Sequence, residues 1–272
     1  MRFQDAAKDA RAVVYAGIQA DPLVARMAGL LADASAAQRV LARAVMNGET
    51  VDSDGWRVAF PSLFGSTAAG AGTDERTRSE AVLDASLAVA RRGDQVRSQF
   101  RGAIVEALTE VLLARRVGGA GLRRERRILF DGVASEIHPY DVTVETAGAA
   151  ETYDCKWGAR GISADVLHQL DDARQHAADE GLRLLPVLVI FDARRSCEVR
   201  LARQTAPRTG TRLVALETLD RLAGRGATPS PASPATASAA SPEAAVMAPA
   251  ATAPASPAAT TDPAPPTTTD PA

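Results

Sequence analysis

The stretch Tyr153-Asp154-Cys155-Lys156-Trp157 alternates in the manner of a β-strand, and we assign it to a predicted strand over 152–157. Because side chains alternate between the two faces of a strand, Asp154 and Lys156 point to one side and the other three residues point to the opposite side. The chain contains 29 arginines and only two lysines, of which Lys156 is one. Arginine stays charged and needs planar partners, whereas lysine supplies a compact, tunable charge. The choice of lysine here therefore indicates a functional site.

A second acidic residue is predicted to lie close to this strand. Asp141 opens a predicted strand over 141–145, and Gly148 marks a hairpin turn between the two strands. In such a hairpin, Asp141 and Asp154 converge on one cation. Hard divalent ions such as Mg²⁺ prefer oxygen ligands, so the two aspartates and the carbonyl of Cys155 form a suitable partial shell, with Mn²⁺ as an alternative ion.

Further upstream, a helix is predicted over 97–117. Its apolar residues recur at helical spacing, and three glycines after it indicate its end. Glu106 and Glu110 lie on this helix, one turn apart and on the same face. The chain thus presents a helix acid, a strand acid and an Asp-x-Lys triplet, in that order.

This series resembles the PD-(D/E)xK nuclease superfamily. The resemblance is carried by Glu106, Asp141, Asp154 and Lys156, and by Gly102, which gives the superfamily's common Gly-x-x-x-Glu pattern. The predicted order of elements, helix, three strands, helix and strand, is that of the superfamily's core and covers about residues 97–220. The triplet by itself is a weak signal, and the conjunction of the four positions gives it weight.

The resemblance implies an α/β fold with a restriction-endonuclease-like αβββαβ core, in which helices flank a mixed central sheet. It implies a Mg²⁺-dependent nuclease that hydrolyses DNA phosphodiester bonds in a restriction-like or repair-like role. Glu106 would complete the metal site, with Glu110 in reserve, and Lys156 would orient or deprotonate the attacking water. Gln169 on the next helix matches a polar position that assists the site, and its neighbour His168 is the alternative.

Three regions are predicted: helices in 1–92, the nuclease-like domain in 93–225, and a tail from 226 onward. The tail is almost entirely Ala, Pro, Ser and Thr, which predicts disorder because it has little apolar surface to bury. The first region is predicted as helices over 4–47 and 73–92, with a short strand at 56–60. It would supply substrate contacts, a homodimer contact or a protein-partner surface. The later strands are predicted at 127–130, 184–191, 198–201 and 213–216.

Without the tail the chain has 31 basic and 30 acidic residues, so its overall charge does not indicate nucleic acid. Local charge does, since ten arginines fall between positions 91 and 127. The predicted nucleic-acid contacts are Arg101, Arg123, Arg124, Arg126 and Arg127, the last four placed just before a strand. The alternative is a solvated helix end and loop.

Two cysteines and three histidines lack the spacing of a disulfide framework or a zinc site. The sequence shows neither a leader pattern nor an apolar run of membrane-spanning length, so we expect a cytoplasmic protein without a membrane partner. Two rival interpretations stay open. One is a non-catalytic nucleic-acid-binding or protein-binding module on the same fold, and the other is a helical adaptor whose Asp-x-Lys is accidental.

Overall fold

A mixed β-sheet organises the chain, whose computed structural model describes residues 1–6, 10–65, 73–131, 133–134, 138–204 and 210–224. The strands are β1 (Arg2–Asp5), β2 (Leu122–Phe130), β3 (Val133–Ala134), β4 (Tyr140–Thr146), β5 (Ala149–Lys156), β6 (Arg183–Ile190) and β7 (Arg212–Ala215). They are ordered β1-β2-β4-β5-β6-β7, with the short β3 paired to β2. The β5–β6 and β6–β7 pairs are parallel, and the others are antiparallel.

Helices flank this sheet. The α-helices are α1 (Ala10–Gln19), α2 (Pro22–Ala32), α3 (Ala36–Asn47), α4 (Ser53–Ala59), α5 (Pro61–Phe64), α6 (Thr73–Ala90), α7 (Asp94–Val117), α8 (Ala164–Asp179) and α9 (Arg194–Ala202). Within the described residues, 3-10 helices cover Ala159–Gly161 and Leu216–Ala223. Local signals fix several boundaries: Ser35 and Gln38 form a capping box on α3, and the Ser163 hydroxyl accepts a hydrogen bond from the Val166 N–H at the start of α8.

The predicted order from α7 to β6 is confirmed, with β3 added between β2 and β4. Gly148, at φ 75°, turns the chain between β4 and β5, as predicted. Most of the predicted strand over 184–191 lies in β6, which ends at Ile190, and the buried side chains of β6 face helices on both sides of the sheet. Thus the α/β architecture with a mixed sheet follows the prediction, whereas the finer restriction-endonuclease-like assignment stays a prediction.

Three secondary-structure predictions are wrong. Residues 4 and 5 belong to strand β1, not to a helix, because β1 pairs with the outer edge of β2. The predicted strand at 56–60 is mostly helix α4, whose first N–H groups are capped by the Asp52 carboxylate. The predicted strand at 198–201 lies in the helix α9. There Cys197 is buried and Val199 is exposed, so the apolar residues of this segment do not form one buried face of a strand.

The N-terminal helices and the sheet share one hydrophobic core. Leu31, Leu41 and Leu83 from α2, α3 and α6 belong to the same buried cluster as Ile104 on α7 and Val142 on β4. A second cluster, between the other face of the sheet and α8, includes Tyr140, Leu170, Leu188 and Ile190. All described residues fall within the compact unit Met1–Ser230. The helix α7 is therefore held between the N-terminal helices and the sheet, which fixes the position of Glu106.

Two predictions lie wholly or partly outside the described residues. The tail from 226 onward is one. The other is a turn, which the Asp131-Gly132 pair predicts from the sequence and of which Gly132 is outside the described residues. Within the described part of the chain, no helix is both long and apolar enough to cross a bilayer. The homodimer or partner surface predicted for the N-terminal helices stays a prediction, although Val13 and Val14 on α1 are exposed.

Candidate functional site

The candidate site lies where β4 and β5 diverge. The last paired residues of these strands at this end are Val142 and Tyr153. Asp141, the next residue of β4, lies in the gap that opens between the two strands. There the Asp141 Oδ2 accepts a hydrogen bond of 2.6 Å from the Cys155 N–H. The N–H and C=O of a residue in an extended strand point to the same side. The Cys155 carbonyl, predicted as a metal ligand, therefore faces the same gap as Asp141.

Asp154 and Lys156 form a pair on the neighbouring strand. The Lys156 Nζ donates to the Asp154 Oδ1 at 2.6 Å, and Asp154 is only 9% exposed. The second oxygen, Oδ2, is buried and has no hydrogen-bond partner within the part of the chain that the structure describes. A buried carboxylate oxygen without a partner is unfavourable for the free energy of folding, because it has lost its hydrogen bonds to water and has formed none within the protein. This oxygen is the strongest indication that the site can bind a cation.

Glu106 is held by helix α1, a contact that the sequence did not predict. Its two oxygens accept hydrogen bonds from the Tyr15 hydroxyl at 2.5 Å and from the Gln19 amide at 2.8 Å. Tyr15 and Gln19 are four residues apart and therefore share one face of α1. A methyl group at Gly102 would lie 2.9 Å from the Tyr15 hydroxyl oxygen, which gives a physical reason for the glycine of the Gly-x-x-x-Glu pattern.

The sheet separates the predicted site residues into two halves. Asp154 and Lys156 lie beside Leu188 and Ile190 on the face that α8 covers. Cys155 points to the other face, where its thiol meets the Thr109 hydroxyl of α7 at 3.4 Å. Glu106 is on α7 as well, so Asp141, located in the gap between β4 and β5, connects the two halves.

Glu125 is a second site residue that the sequence did not reveal. It lies in the middle of β2, opposite Asp141, with φ 50°. A left-handed conformation is unusual for a non-glycine residue and persists where the surrounding structure enforces it, often at functional sites. The side chains of β2 change from one face of the sheet to the other at Glu125. Before it, Leu122 packs against the core on the α7 side. After it, Ile128 and Phe130 pack on the α8 side.

Burial and neighbouring acids raise the pKa values of Asp141 and Glu125. Burial, followed by the charges of Glu106 and Asp154, holds the pKa of Asp141 well above its usual value, despite the opposing effect of Lys156. Burial and the charge of Glu106 also raise the pKa of Glu125. Burial lowers the pKa of Lys156, but the charges of Asp154 and Asp141 outweigh it, so the net pKa is raised. The site therefore holds a charged lysine, and burial together with the neighbouring acids disfavours the ionised forms of Asp141 and Glu125.

The raised pKa of Asp141 predicts that Asp141→Asn stabilises the metal-free protein. Asparagine keeps an oxygen that accepts from the Cys155 N–H and removes the charge. The unfolded chain loses its Asp141 proton near pH 3.9, before the folded protein does, so wild-type stability falls as the pH rises above this value. In chelator at pH 7.5 we expect the melting temperature of Asp141→Asn to exceed that of the wild type by about 2 °C or more, a gain of roughly 1 kcal/mol.

The difference in melting temperature should shrink as the pH is lowered toward about 4, where the wild-type carboxyl is also neutral. Asp84→Asn, on the exposed side of α6, is the matched control and should leave the melting temperature unchanged. A lower melting temperature for Asp141→Asn than for the wild type at pH 7.5 would show that the carboxylate is compensated in the folded protein.

The structure places Gln169 in contact with the loop before Asp141. Its amide donates to the carbonyl of His138 at 3.0 Å. His168, the alternative to Gln169, is exposed on α8. This contact suits Gln169 to positioning the chain that leads into β4, and its catalytic role stays a prediction.

The predicted arginine cluster is arranged differently from the expectation. Arg123, Arg124, Arg126 and Arg127 lie within β2, not before it, because β2 begins at Leu122. Arg124 pairs with Glu110, and Arg126 pairs with Glu145 and Asp5, so these charges are already compensated. Their role as nucleic-acid contacts stays a prediction. Glu110, engaged by Arg124, is correspondingly less suited than Glu106 to a metal site.

The donor set fits a hard divalent cation in its chemistry. Carboxylate oxygens of Asp141 and Asp154 and the carbonyl of Cys155 are the ligand types that Mg²⁺ and Mn²⁺ take. The unpartnered Asp154 Oδ2 and the raised pKa of Asp141 both indicate missing positive charge. Across the described ranges, no three His, Cys, Asp or Glu side chains already stand together as a metal-binding group, and both Glu106 oxygens accept hydrogen bonds from α1.

No protein-family model, curated protein or solved structure matches this chain. Function is therefore inferred from the contacts, burial and charges of the site itself.

Proposed function

We propose that the protein is a metal-dependent nuclease that hydrolyses phosphodiester bonds of DNA. The observation that carries this proposal is the Asp154 carboxylate, which is buried, paired through one oxygen with Lys156 and unpartnered at the other. Asp141 lies in the adjacent gap with a raised pKa. A buried and a half-buried aspartate beside a charged lysine suit a site that binds a cation and a phosphate together.

The residues divide the chemistry between them. Asp141 and Asp154, with the carbonyl of Cys155, would hold Mg²⁺ or Mn²⁺, and the bound ion would stabilise charge on the scissile phosphate. Lys156 offsets negative charge on the phosphate as a permanent cation, because its raised pKa keeps it protonated. It is therefore better suited to orient the attacking water by a hydrogen bond than to remove a proton from it.

A second candidate function is favoured by the contacts of Glu106. Both of its oxygens accept hydrogen bonds from α1, so the helix acid is not turned toward Asp154. A protein that keeps this fold but uses it to bind nucleic acid or a protein, without cleavage, is consistent with that arrangement. The two candidates differ in one measurable property, metal-dependent hydrolysis.

Incubating the purified full-length protein with supercoiled plasmid, linear duplex, single-stranded DNA and RNA tests the proposal. We expect DNA cleavage with Mg²⁺ or Mn²⁺ and none with chelator. DNA bound but left intact with either metal would favour the non-catalytic module. Cleavage that persists in chelator would contradict a metal-dependent mechanism.

A further inference from the structure

A basic cleft of about 690 Å³ opens beside Lys156, and nothing in the proposed chemistry uses its other residues. It is formed by α3, α7, the end of β5, the 3-10 helix at Ala159–Gly161 and Asp192, which follows β6. The residues that line it include Arg43, Asn47, Arg101, Lys156, Trp157 and Arg160. Four cationic side chains thus face one carboxylate, Asp192, so the cleft favours an anion.

The guanidinium of Arg43 is held in place by an ion pair. Arg43 pairs with Asp192 at 2.7 Å, and the Asp192 carboxylate also accepts from the N–H groups of Ala159 and Ala193. Asp192 thereby ties α3 to the loop that follows β5. The Arg43 Nε nevertheless remains buried with no hydrogen-bond partner among the described residues.

Arg101 is held over the ring of Trp157. Its guanidinium lies 6.0 Å from the ring centroid and donates to two neutral oxygens, Asn47 Oδ1 at 2.9 Å and the Met46 carbonyl at 3.4 Å. The Trp157 indole also donates to Asn47, at 2.8 Å, and stacks on Phe191, with centroids 4.9 Å apart. Both ring faces of Trp157 are thus in use, so it positions Arg101 and does not serve as a platform for a base.

Among the described residues, no carboxylate forms an ion pair with Arg101. Burial and the neighbouring charge of Arg97 lower its pKa, and its Nε is buried without a partner within the described ranges. A guanidinium in this state gains most from an anion with several oxygens, because such an anion accepts two or more N–H bonds at once. Phosphate oxygens meet this requirement.

The size of the cleft selects among phosphate ligands. Pockets of roughly 300–1,000 Å³ enclose a ligand of the size of a small molecule. One or two nucleotides of a single strand have about that size. The cleft is continuous with Lys156, so a strand held in it leads directly to the candidate catalytic lysine.

We propose that this cleft binds the phosphate backbone of a single DNA strand next to the bond to be cleaved, through Arg101, Arg43 and Arg160. The inference rests on the proposed nuclease function, since it assigns the cleft to the substrate of that reaction. It adds a preference for unpaired DNA over duplex DNA. It also places the nucleic-acid contacts on α3, on α7 and on the 3-10 helix that follows β5. Of these contacts, only Arg101 was also predicted from the sequence.

Fluorescence anisotropy with a fluorescein-labelled 20-nucleotide single strand, in chelator, tests the cleft without any cleavage. We expect Arg101→Gln and Arg160→Gln to weaken binding about 3- to 10-fold each, and the double variant more. The dependence of log K on log salt should lose about 0.7 in slope for each phosphate contact removed. Arg160 is exposed, so its substitution leaves the fold intact, and Arg101→Lys should retain the salt slope.

Arg26→Gln is the matched control, because Arg26 is an exposed arginine on α2 that does not line the cleft. It should bind the strand as the wild type does. Wild-type affinity in the Arg101→Gln, Arg160→Gln double variant would overturn the assignment of the cleft, as would an equal loss in Arg26→Gln. Tighter binding of the matching duplex than of the single strand would overturn the preference for unpaired DNA.

The two proposals fail in different ways. If the wild type cleaves nothing with Mg²⁺ or Mn²⁺ but the cleft variants still lose affinity in chelator, the nuclease function fails and the binding site stands. If the wild type cleaves DNA and the cleft variants bind and cleave normally, the cleft assignment alone fails.

Discussion

Asp154→Asn should reduce metal-dependent DNA cleavage by a factor on the order of 10³, the scale observed when one group that stabilises transition-state charge is removed. Asparagine has nearly the shape of aspartate, and its amide oxygen can still accept from Lys156. The unpartnered Oδ2 position would then carry an NH₂ group, which repels a cation. The expected loss is therefore one of metal binding and rate, with the fold retained.

The measurement is the initial rate of cleavage over a range of Mg²⁺ concentrations, with the melting temperature recorded for each variant. In the wild type, Mg²⁺ should raise the melting temperature because it binds the folded state, and in Asp154→Asn this rise should disappear. Asp84→Asn is the matched control, an acid-to-amide change at an exposed position of α6. Wild-type cleavage by Asp154→Asn would exclude Asp154 as a ligand and contradict the nuclease proposal.

The sequence predicted the parts of this site that depend on short-range patterns. Strand alternation placed Asp154 and Lys156 on one face, and a glycine with positive φ, Gly148, set the hairpin that brings Asp141 beside Asp154. Both signals depend on backbone geometry within about fifteen residues, so they can be recognised in one sequence.

The contacts that the sequence did not predict are long-range. Tyr15 and Gln19 reach Glu106 from 91 and 87 residues away, and nothing in the pattern of α1 indicates which acid they meet. The left-handed backbone at Glu125 is equally hidden, because glutamate gives no sign of a positive φ. Each of these features is created by the packing of α1 and β1 against α7 and β2.

The same contrast applies to the basic residues. Sequence clustering grouped Arg123, Arg124, Arg126 and Arg127, but two of these four are paired with acids in the fold. Arg43 and Arg160 are far apart in the sequence and line one cleft with Arg101. A run of arginines in the sequence is therefore a poor guide to a basic surface. Whether each guanidinium lies next to a carboxylate in the fold is a better one.

Lys156→Arg should lose nearly as much activity as Lys156→Ala, a factor on the order of 10² or more. The lysine stem packs against the backbone of Gly161, where an added methyl group would lie 2.8 Å from the Lys156 Cβ and 2.9 Å from its Cγ. Its ammonium reaches the Asp154 Oδ1 at 2.6 Å. The longer, planar guanidinium cannot occupy this position with the same contacts, so it would displace either the water or the cation beside Asp154.

Cleavage rates of the arginine, alanine and glutamine variants at saturating Mg²⁺ test this expectation, with Arg26→Lys as the matched control for exchange between the two cations at an exposed site. Because Lys156 is charged in the folded protein, a purely electrostatic role predicts that Lys156→Arg keeps most of the activity that Lys156→Gln loses. A role that depends on the short reach of the ammonium predicts that both variants are equally inactive. We expect the second result, because the packing against Gly161 and the short bond to Asp154 leave one position for the charge. Activity in Lys156→Arg above about a third of the wild type would show instead that any cation at this position suffices.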